Sequence, residues 1–440
     1  MQMDGPIELR TAERGTRGRN RAAYVAEALV EYFISLLVAG AFLAMILKQT
    51  GVPDSVTGVT TALSSLAFMG QLVSALFIRT RKTPRRFILW GHLINQLMFV
   101  LLYAIPFIHI PQIIKIALFV CMYLGGHLIA NMVAPFKLSW LMSYVDDRKR
   151  GAFTAKKEII SLVGGMAFSF LMGSLIDYYE GIGQTETGCI LCGITILVLS
   201  IAHFAALAAV KDGDEPEETG AAERMSVKKA LGLTLGNPCL RKVIFLDILW
   251  HMGTGISVSF YGTYQINELG FSMGYAALLT AGYSVMRVGF SQFFGRFADR
   301  HSWAKMLSLC FMIGCIAYCF NIFTVPANGK VFYALYYMIY GVYMAGANSG
   351  IMNITFDYVK PEHRAYALGV KSAVGGLFGF LAALVGGRIV AAVQASGNLL
   401  LGNTVYAQQI LSLLAFGLFA AAVVYINRVI VKLPQVGKQT

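Results

Sequence analysis

The chain has 440 residues, of which 57% are hydrophobic and only 13% are charged. Soluble globular domains carry about 25% charged residues, so this composition excludes an ordinary soluble protein and indicates an integral membrane protein. The net charge of +13 is carried by basic residues in short segments between apolar runs. That distribution is typical of orientation in a lipid bilayer and not of nucleic-acid binding.

Cysteine usage and catalytic motifs give no support to an enzyme. The seven cysteines lie mostly within apolar stretches, where cysteine behaves as a small hydrophobic residue. The sequence contains no Gly-x-x-x-x-Gly-Lys-Ser/Thr phosphate loop, no His-Glu-x-x-His helix and no Gly-x-Ser-x-Gly turn. We therefore predict no enzymatic activity, no cofactor, no metal site and no nucleic-acid partner.

In chain order, a polar tail over residues 1–23 precedes the first of many apolar stretches. A transmembrane helix needs about 20 mostly apolar residues. Stretches of this length lie near 24–48, 55–78, 86–108, 113–142, 153–177 and 187–210, and again near 243–266, 272–297, 303–325, 330–356, 364–392 and 404–431. The pattern predicts an all-α integral membrane protein with twelve transmembrane helices in two six-helix bundles, 24–210 and 243–432. A polar linker, 211–242, joins the bundles, and 433–440 forms a second tail.

Charge alternates between successive connections. The basic connections carry Arg79, Arg81, Lys82, Arg85 and Arg86, then Arg148, Lys149 and Arg150, then Lys228, Lys229, Arg241 and Lys242, then Arg296 and Arg300, and finally Lys360 and Arg364. Because basic loops resist translocation, these connections and both tails are predicted to be cytoplasmic. We expect the protein in a plasma membrane, of the bacterial inner-membrane type.

The two groups of apolar stretches repeat one another. Residues that match at a near-constant offset are Gly51 with Gly270, Arg150 with Arg364, and Lys157 with Lys371. A repeat of this kind predicts two halves related by pseudo-symmetry.

The connection between the eighth and ninth stretches reads Gly295-Arg296-Phe297-Ala298-Asp299-Arg300. It resembles the Gly-x-(Leu/Phe)-Ala-Asp-Arg loop between helices 8 and 9 of the major facilitator superfamily of transporters. The resemblance covers about residues 24–432 and implies two six-helix halves that rock around a midplane site. Two features depart from the pattern: the 74–79 connection lacks the family's Gly and Asp, and the fifth stretch lacks the Gly-Pro pair of its proton-antiporting drug exporters.

The same resemblance implies that the first, fourth, seventh and tenth helices line the central path. Ionisable groups within a span are costly and commonly face a cavity or a partner. The candidate substrate and proton pathway comprises Glu27, Glu31, His127, Asn131, Asp247, His251, Arg287, Tyr336, Tyr340 and Asn348. Each has a structural alternative: the glutamates could pair with a loop cation, and the tyrosines could serve in packing.

A second set of charged residues lies at the predicted cytoplasmic side. It comprises Arg150, Lys157, Asp299, Arg300, Asp357, Arg364 and Lys371. Partly on the family resemblance, we interpret this set as a cytoplasmic gate whose ion pairs form when the transporter opens outward. The alternative is a set of ordinary basic loops that fix orientation.

Together these features predict a secondary active transporter that moves a small polar organic solute, with sugars or organic acids favoured, by alternating access. The intramembrane acids and His251 suggest coupling to protons or another ion, and the expected partners are the solute, that ion and the lipid bilayer. We expect a monomer. Two alternatives stay open: an exporter of drugs or metabolites, and a transport-incompetent sensor or lipid-handling protein of the same fold.

Overall fold

The computed structural model describes residues 7–72, 85–142, 144–145, 150–210, 227–359, 363–400 and 402–434. Helices account for nearly all of this. Those of the first half are α1 (Ile7–Leu37), α2 (Gly40–Gln49), α3 (Asp54–Leu66), α4 (Arg85–Ala104), α5 (Gln112–Met142), α6 (Arg150–Gly181) and α7 (Thr185–Ala208). Those that follow are α8 (Val227–Gly236), α9 (Pro238–Ser257), α10 (Met273–Arg300), α11 (Trp303–Ile322), α12 (Gly329–Phe356), α13 (Arg364–Ala395) and α14 (Ala407–Tyr425).

Short helical turns and one hairpin complete these elements. Residues Tyr261–Glu268 extend α9, and a π-helical turn, Ile426–Ile430, extends α14. Strands Leu399–Leu400 and Asn403–Thr404 form an antiparallel hairpin between α13 and α14. Helix α8 falls within the predicted linker, whose residues 211–226 lie outside the described part of the chain.

A helix or helix pair occupies each of the twelve predicted membrane positions. Within the described residues, eight helices are long and apolar enough to cross a membrane, and a ninth arises if α1 and α2 are one bent span. Helices α10 and α12 are also long, with 28 residues each. The all-α membrane architecture expected from the sequence is confirmed, and the arrangement is compatible with twelve spans.

The bend between α1 and α2 follows from one glycine. The chain turns by 45° between Leu37 and Gly40, and Gly40 has a φ of 55°, a conformation that costs glycine little. The bend brings the Gly40 carbonyl oxygen against Gly262, where a Cβ would lie only 2.3 Å from that oxygen. A side chain at position 262 would therefore separate the two halves.

The helix pairs repeat between the two halves. Helix α1 packs on α6 and α7 as α9 packs on α13 and α14, and α4 packs on α5 and α7 as α11 packs on α12 and α14. Two further pairs join the halves, α3 with α13 and α6 with α10. This pattern is the pseudo-symmetry that the sequence repeat predicted.

One end of the molecule carries the basic connections of the sequence, and the other does not. The basic end is where α7, α10 and α12 finish. The far end is where α3, α7 and α10 begin. At the far end the two halves meet closely, because Gly58 of α3 packs on Phe260 of the second half and leaves no room for a Cβ.

Candidate substrate and ion pathway

A buried lysine organises the polar interior of the first half. Lys137 of α5 is 8% exposed, and its ammonium group donates to Glu31 and, at 3.2 Å, to Glu27 Oε2, both on α1. Glu27 is 1% exposed, so its charge depends on this partner for compensation. The two glutamates lie one turn apart, and this spacing allows both to reach one ammonium group.

Two histidines and an amide extend this group. His203 Nε2 of α7 lies 3.1 Å from Glu27 Oε2, and its Nδ1 lies 2.8 Å from Gln96 Nε2 of α4. The His92 ring packs edge-on against His203, with ring centroids 5.2 Å apart. We call this set, Glu27, Glu31, His92, Gln96, Lys137 and His203, the glutamate cluster.

The glutamate cluster borders a cavity in the first half of the protein. The cavity has a volume of about 430 Å³ and lies between α1, α4, α5 and α6. Its polar lining residues are Glu31, Tyr32, Ser35, Asn95, Gln96, His127, Thr154, Lys157, Glu158 and Ser161. Carboxylates, amides and hydroxyls thus face one space, in the mixture that binds a polar solute.

A corresponding group in the second half is more enclosed. Lys371 of α13 donates to Asp247 Oδ1 at 3.1 Å and to the Ile351 carbonyl at 3.0 Å. His251 Nδ1 lies 3.3 Å from Asp247 Oδ2. A Cβ on Gly375 would lie 2.3 Å from Asp247 Oδ2, so this glycine lets α13 cover the carboxylate. We call Asp247, His251 and Lys371 the aspartate cluster.

The tyrosines predicted for the pathway lie inside the second half. Tyr336 is fully buried and Tyr340 is 6% exposed. Their rings contact Tyr261, Tyr318 and each other, with centroids 5.4 to 6.4 Å apart. The structure places them in an aromatic core away from the 430 Å³ cavity.

The remaining pathway candidates are scattered. His127 lines the cavity, and its carbonyl accepts from Asn131. Asn348 is exposed. Arg287 of α10 donates to Glu158 of α6 at 3.3 Å, a partly exposed ion pair that joins the two halves.

The residues predicted for the gate do not form one cluster. Lys157 contacts the Tyr24 hydroxyl at 3.4 Å, and Lys371 belongs to the aspartate cluster. Asp299 and Arg300 are exposed, and neither pairs with another described residue.

Arg150, Asp357 and Arg364 lie at the basic end, as do Asp299 and Arg300 at the end of α10. The Arg364 guanidinium lies over the Phe356 ring at 4.9 Å. Partial burial raises the pKa of Asp357, and Arg364 counteracts that effect. The side chain of Arg150, where α6 begins, lies outside the described residues.

The far end carries polar contacts that the sequence did not indicate. Asp177, near the end of α6, accepts hydrogen bonds from the backbone N–H groups of Met273 and Gly274, each at 2.7 Å. A carboxylate at a helix N-terminus is favourable because unpaired N–H groups and the helix dipole meet there. Asp54, at the start of α3, accepts from Asn267 at 2.6 Å and from Gln394 at 2.9 Å. Both aspartates tie one half of the molecule to the other.

Lys137 and His203 were also missed as site residues. Lys137 lies within the fourth apolar stretch, at about the same depth in the membrane as the α1 glutamates. This shared depth is the feature of the sequence that could have predicted their contact. Asp177 and Asp54 lie next to loops, where an aspartate in a sequence has no distinguishing pattern. Their partners are backbone groups or amides from the other half, which no local spacing reveals.

Known proteins of similar sequence or fold identify the family of this chain. The sequence model of the Major Facilitator Superfamily matches residues 28–383 and 245–433. No protein of curated function matches the sequence significantly.

Solved structures share the fold at low identity. The nucleoside transporter NupG is 11% identical, with a TM-score of 0.67 over 94% of this chain and 100% of its own. A NupG mutant is 12% identical, with a TM-score of 0.67 over 93% and 99% of the two chains. A bacterial homologue of the iron transporter ferroportin, in an outward-facing state with soaked iron, is 12% identical, with a TM-score of 0.55 over 92% and 98%. Since the family model spans most of the sequence, this chain belongs to the Major Facilitator Superfamily.

Proposed function

We propose that the protein is a secondary active transporter of a small polar organic solute, coupled to protons or another ion. The observation that carries this proposal is the 430 Å³ cavity, which places carboxylates, amides and hydroxyls beside a buried lysine–glutamate group. Sites for small ligands occupy about 300–1,000 Å³ and combine apolar walls with a few placed polar groups. The cavity has that size and that composition.

We place a neutral, hydroxyl-rich solute ahead of a carboxylic acid, because the lining holds one lysine, Lys157, against two carboxylates, Glu31 and Glu158. Asn95, Gln96 and Ser161 supply donors and acceptors. Arg287, the arginine of the predicted pathway, is paired with Glu158 and does not line the cavity. Sugars and nucleosides therefore lead the candidate solutes, and NupG, of similar fold, is a nucleoside transporter.

Coupling is assigned to the glutamate cluster. Glu31 borders the cavity, while Glu27 and His203 lie behind it and contact each other. Protonation of Glu31 would weaken its bond to Lys137, so a proton and the solute could act on the same group. A chain of carboxylates and histidines is the usual carrier of protons within membrane proteins.

Alternating access would depend on the making and breaking of the contacts at the far end. With the far end closed, the proposed state opens toward the basic end, and the Asp177 and Asp54 contacts must break for the opposite state to form. By the positive-inside rule we assign the basic end and both termini to the cytoplasm of a bacterial cell. We propose that a monomer carries out this cycle.

The test is solute flux into proteoliposomes containing the purified protein. Radiolabelled sugars, nucleosides, organic acids and lipophilic cations are supplied with and without an inward proton gradient. The proposal expects uptake of a sugar or nucleoside that the gradient increases. Uptake of organic acids alone would overturn the neutral-solute assignment, transport of lipophilic cations alone would favour an exporter, and gradient-independent flux would overturn the coupling.

A further inference from the structure

His92 is a buried imidazole whose ring nitrogens have no hydrogen-bond partner. The residue is 2% exposed, and neither Nδ1 nor Nε2 is bonded to any described residue. Buried polar atoms in proteins are nearly always hydrogen-bonded, so an unpaired buried imidazole calls for an explanation. Histidine with a free nitrogen lone pair is also the commonest metal ligand in proteins.

Two further metal-binding side chains lie beside His92. One ligand atom each from Glu31, His92 and His203 fall within 4.8 Å of one another. His92 Nδ1 is 3.7 Å from Glu31 Oε1. Ligands at about 2.0–2.2 Å from a tetrahedral metal ion are about 3.4 Å apart, so small side-chain rotations would bring the three atoms to bonding positions.

We propose that Glu31, His92 and His203 bind one divalent transition-metal ion within the membrane. Two imidazoles and one carboxylate suit Zn²⁺, Fe²⁺, Co²⁺ or Mn²⁺, whereas Mg²⁺ and Ca²⁺ prefer oxygen ligands alone. His203 would exchange its Glu27 contact for the ion. Glu27 Oε1, which has no partner among the described residues, is available to complete the coordination.

The cavity supplies the route to this site. Glu31 is the ligand that lines the cavity, and its side chain is 40% exposed, whereas those of His92 and His203 are 2% and 1% exposed. An ion entering the cavity therefore meets Glu31 before the histidines. The three ligands come from α1, α4 and α7, so binding would hold three helices of one half together.

Lys137 weakens the binding of the ion at this site, so that a bound ion can be released. Its ammonium group bonds both glutamates, and a cation beside a bound metal ion opposes binding by Coulomb repulsion. Removing that charge leaves two carboxylates for the ion. The ion is therefore bound more weakly in the native protein than in a Lys137→Met variant.

The test uses full-length protein in detergent, titrated with Co²⁺ and followed by the visible absorption of the bound ion. Zn²⁺ competition gives the affinity, and Mg²⁺ serves as the negative probe. The variants are His92→Ala, Lys137→Met and, as matched control, His301→Ala, which removes an exposed histidine of the second half outside the cavity and the proposed ligand set. The unfolding temperature of each variant is measured with and without Zn²⁺.

The proposal expects one Co²⁺ per chain and at least about tenfold weaker binding in His92→Ala, since even a residue that only orients a metal ligand contributes that much. Binding should be tighter in Lys137→Met and unchanged in His301→Ala. Affinities are compared only for variants whose thermal unfolding shows that they are folded, because an unfolded chain also binds metal ions through cysteine and histidine. Equal affinity in the native protein and His92→Ala, or weaker binding in folded Lys137→Met, would overturn the proposal. Solute flux is measured separately, so its failure would leave this result standing.

Discussion

The two halves of the molecule contain the same arrangement of charges in different surroundings. In each, the first helix carries an acidic residue and a second polar group one turn later: Glu27 and Glu31 in α1, Asp247 and His251 in α9. In each, a lysine from another helix compensates the acid. From the sequence alone these pairs are equivalent.

Their surroundings separate them. Glu27 and its counterpart Asp247 are both 1% exposed. The side chain of Glu31 is 40% exposed and lines the cavity, whereas that of its counterpart His251 is only 12% exposed. Lys137 comes from α5, while Lys371 comes from α13, which Gly375 allows to pack closely over Asp247. The charged cluster therefore borders the cavity in the first half and is covered by helix packing in the second.

The largest expected effect comes from removing either lysine. Lys371→Met and Lys137→Met each leave a buried carboxylate without its cation, which costs about 3–5 kcal/mol of stability. Thermal unfolding of the purified protein measures this loss.

Double variants that neutralise both the acid and its lysine sharpen the comparison between the two clusters. Asp247→Asn with Lys371→Met should regain most of the lost stability and transport, whereas Glu27→Gln with Lys137→Met should regain stability only. Full transport in the second pair would show that the glutamate cluster is also a packing device.

A smaller effect is expected from Glu31→Gln. This change keeps the side-chain volume and removes the charge that faces the cavity, so solute flux should fall roughly tenfold, equivalent to about 1.4 kcal/mol. Stability should change little because Glu27 still pairs with Lys137. Glu186→Gln, an exposed residue in the first turn of α7, is the matched control. Equal flux in the two variants would remove Glu31 from the pathway.

The far end provides a third test, because it closes the space between the two halves. Asp177→Asn removes a charge from the N-terminus of α10, where such a charge contributes about 0.3–1 kcal/mol and up to about 2 when partly buried. A loss of about 1 kcal/mol shifts the balance between the two openings about fivefold. Spin-label distances across the far end measure this shift, with the exposed Glu180→Gln as control. An unchanged distance distribution would show that Asp177 does not hold the far end closed.

The sequence predicted the fold more completely than it predicted the candidate site. Apolar stretches of membrane length, the repeat and the Gly295–Arg300 motif predicted the all-α membrane fold, because bilayer thickness and helix geometry act locally along the chain. The motif, predicted as a connection, forms the last turns of α10. The pairing of Asp247 with His251 followed from helix spacing. Lys137 and His203 did not, because they come from other helices and meet Glu27 only through tertiary packing. The same reason explains why Arg287 had no visible partner until Glu158 of the other half was placed beside it.

The smallest effect is expected from the Arg287–Glu158 ion pair. This pair also tests whether the exposure of a charged side chain distinguishes charges that have a role from charges that have none. Their side chains are 26% and 51% exposed, and exposed ion pairs contribute about 0.2–1 kcal/mol. A double-mutant cycle with Arg287→Gln and Glu158→Gln should give a coupling energy in that range by thermal unfolding, decreasing with added salt. A coupling of several kcal/mol, comparable with that of Lys371 and Asp247, would mean that this pair is shielded from water and holds α6 and α10 together. It would then rank with the buried clusters as a determinant of how the two halves move.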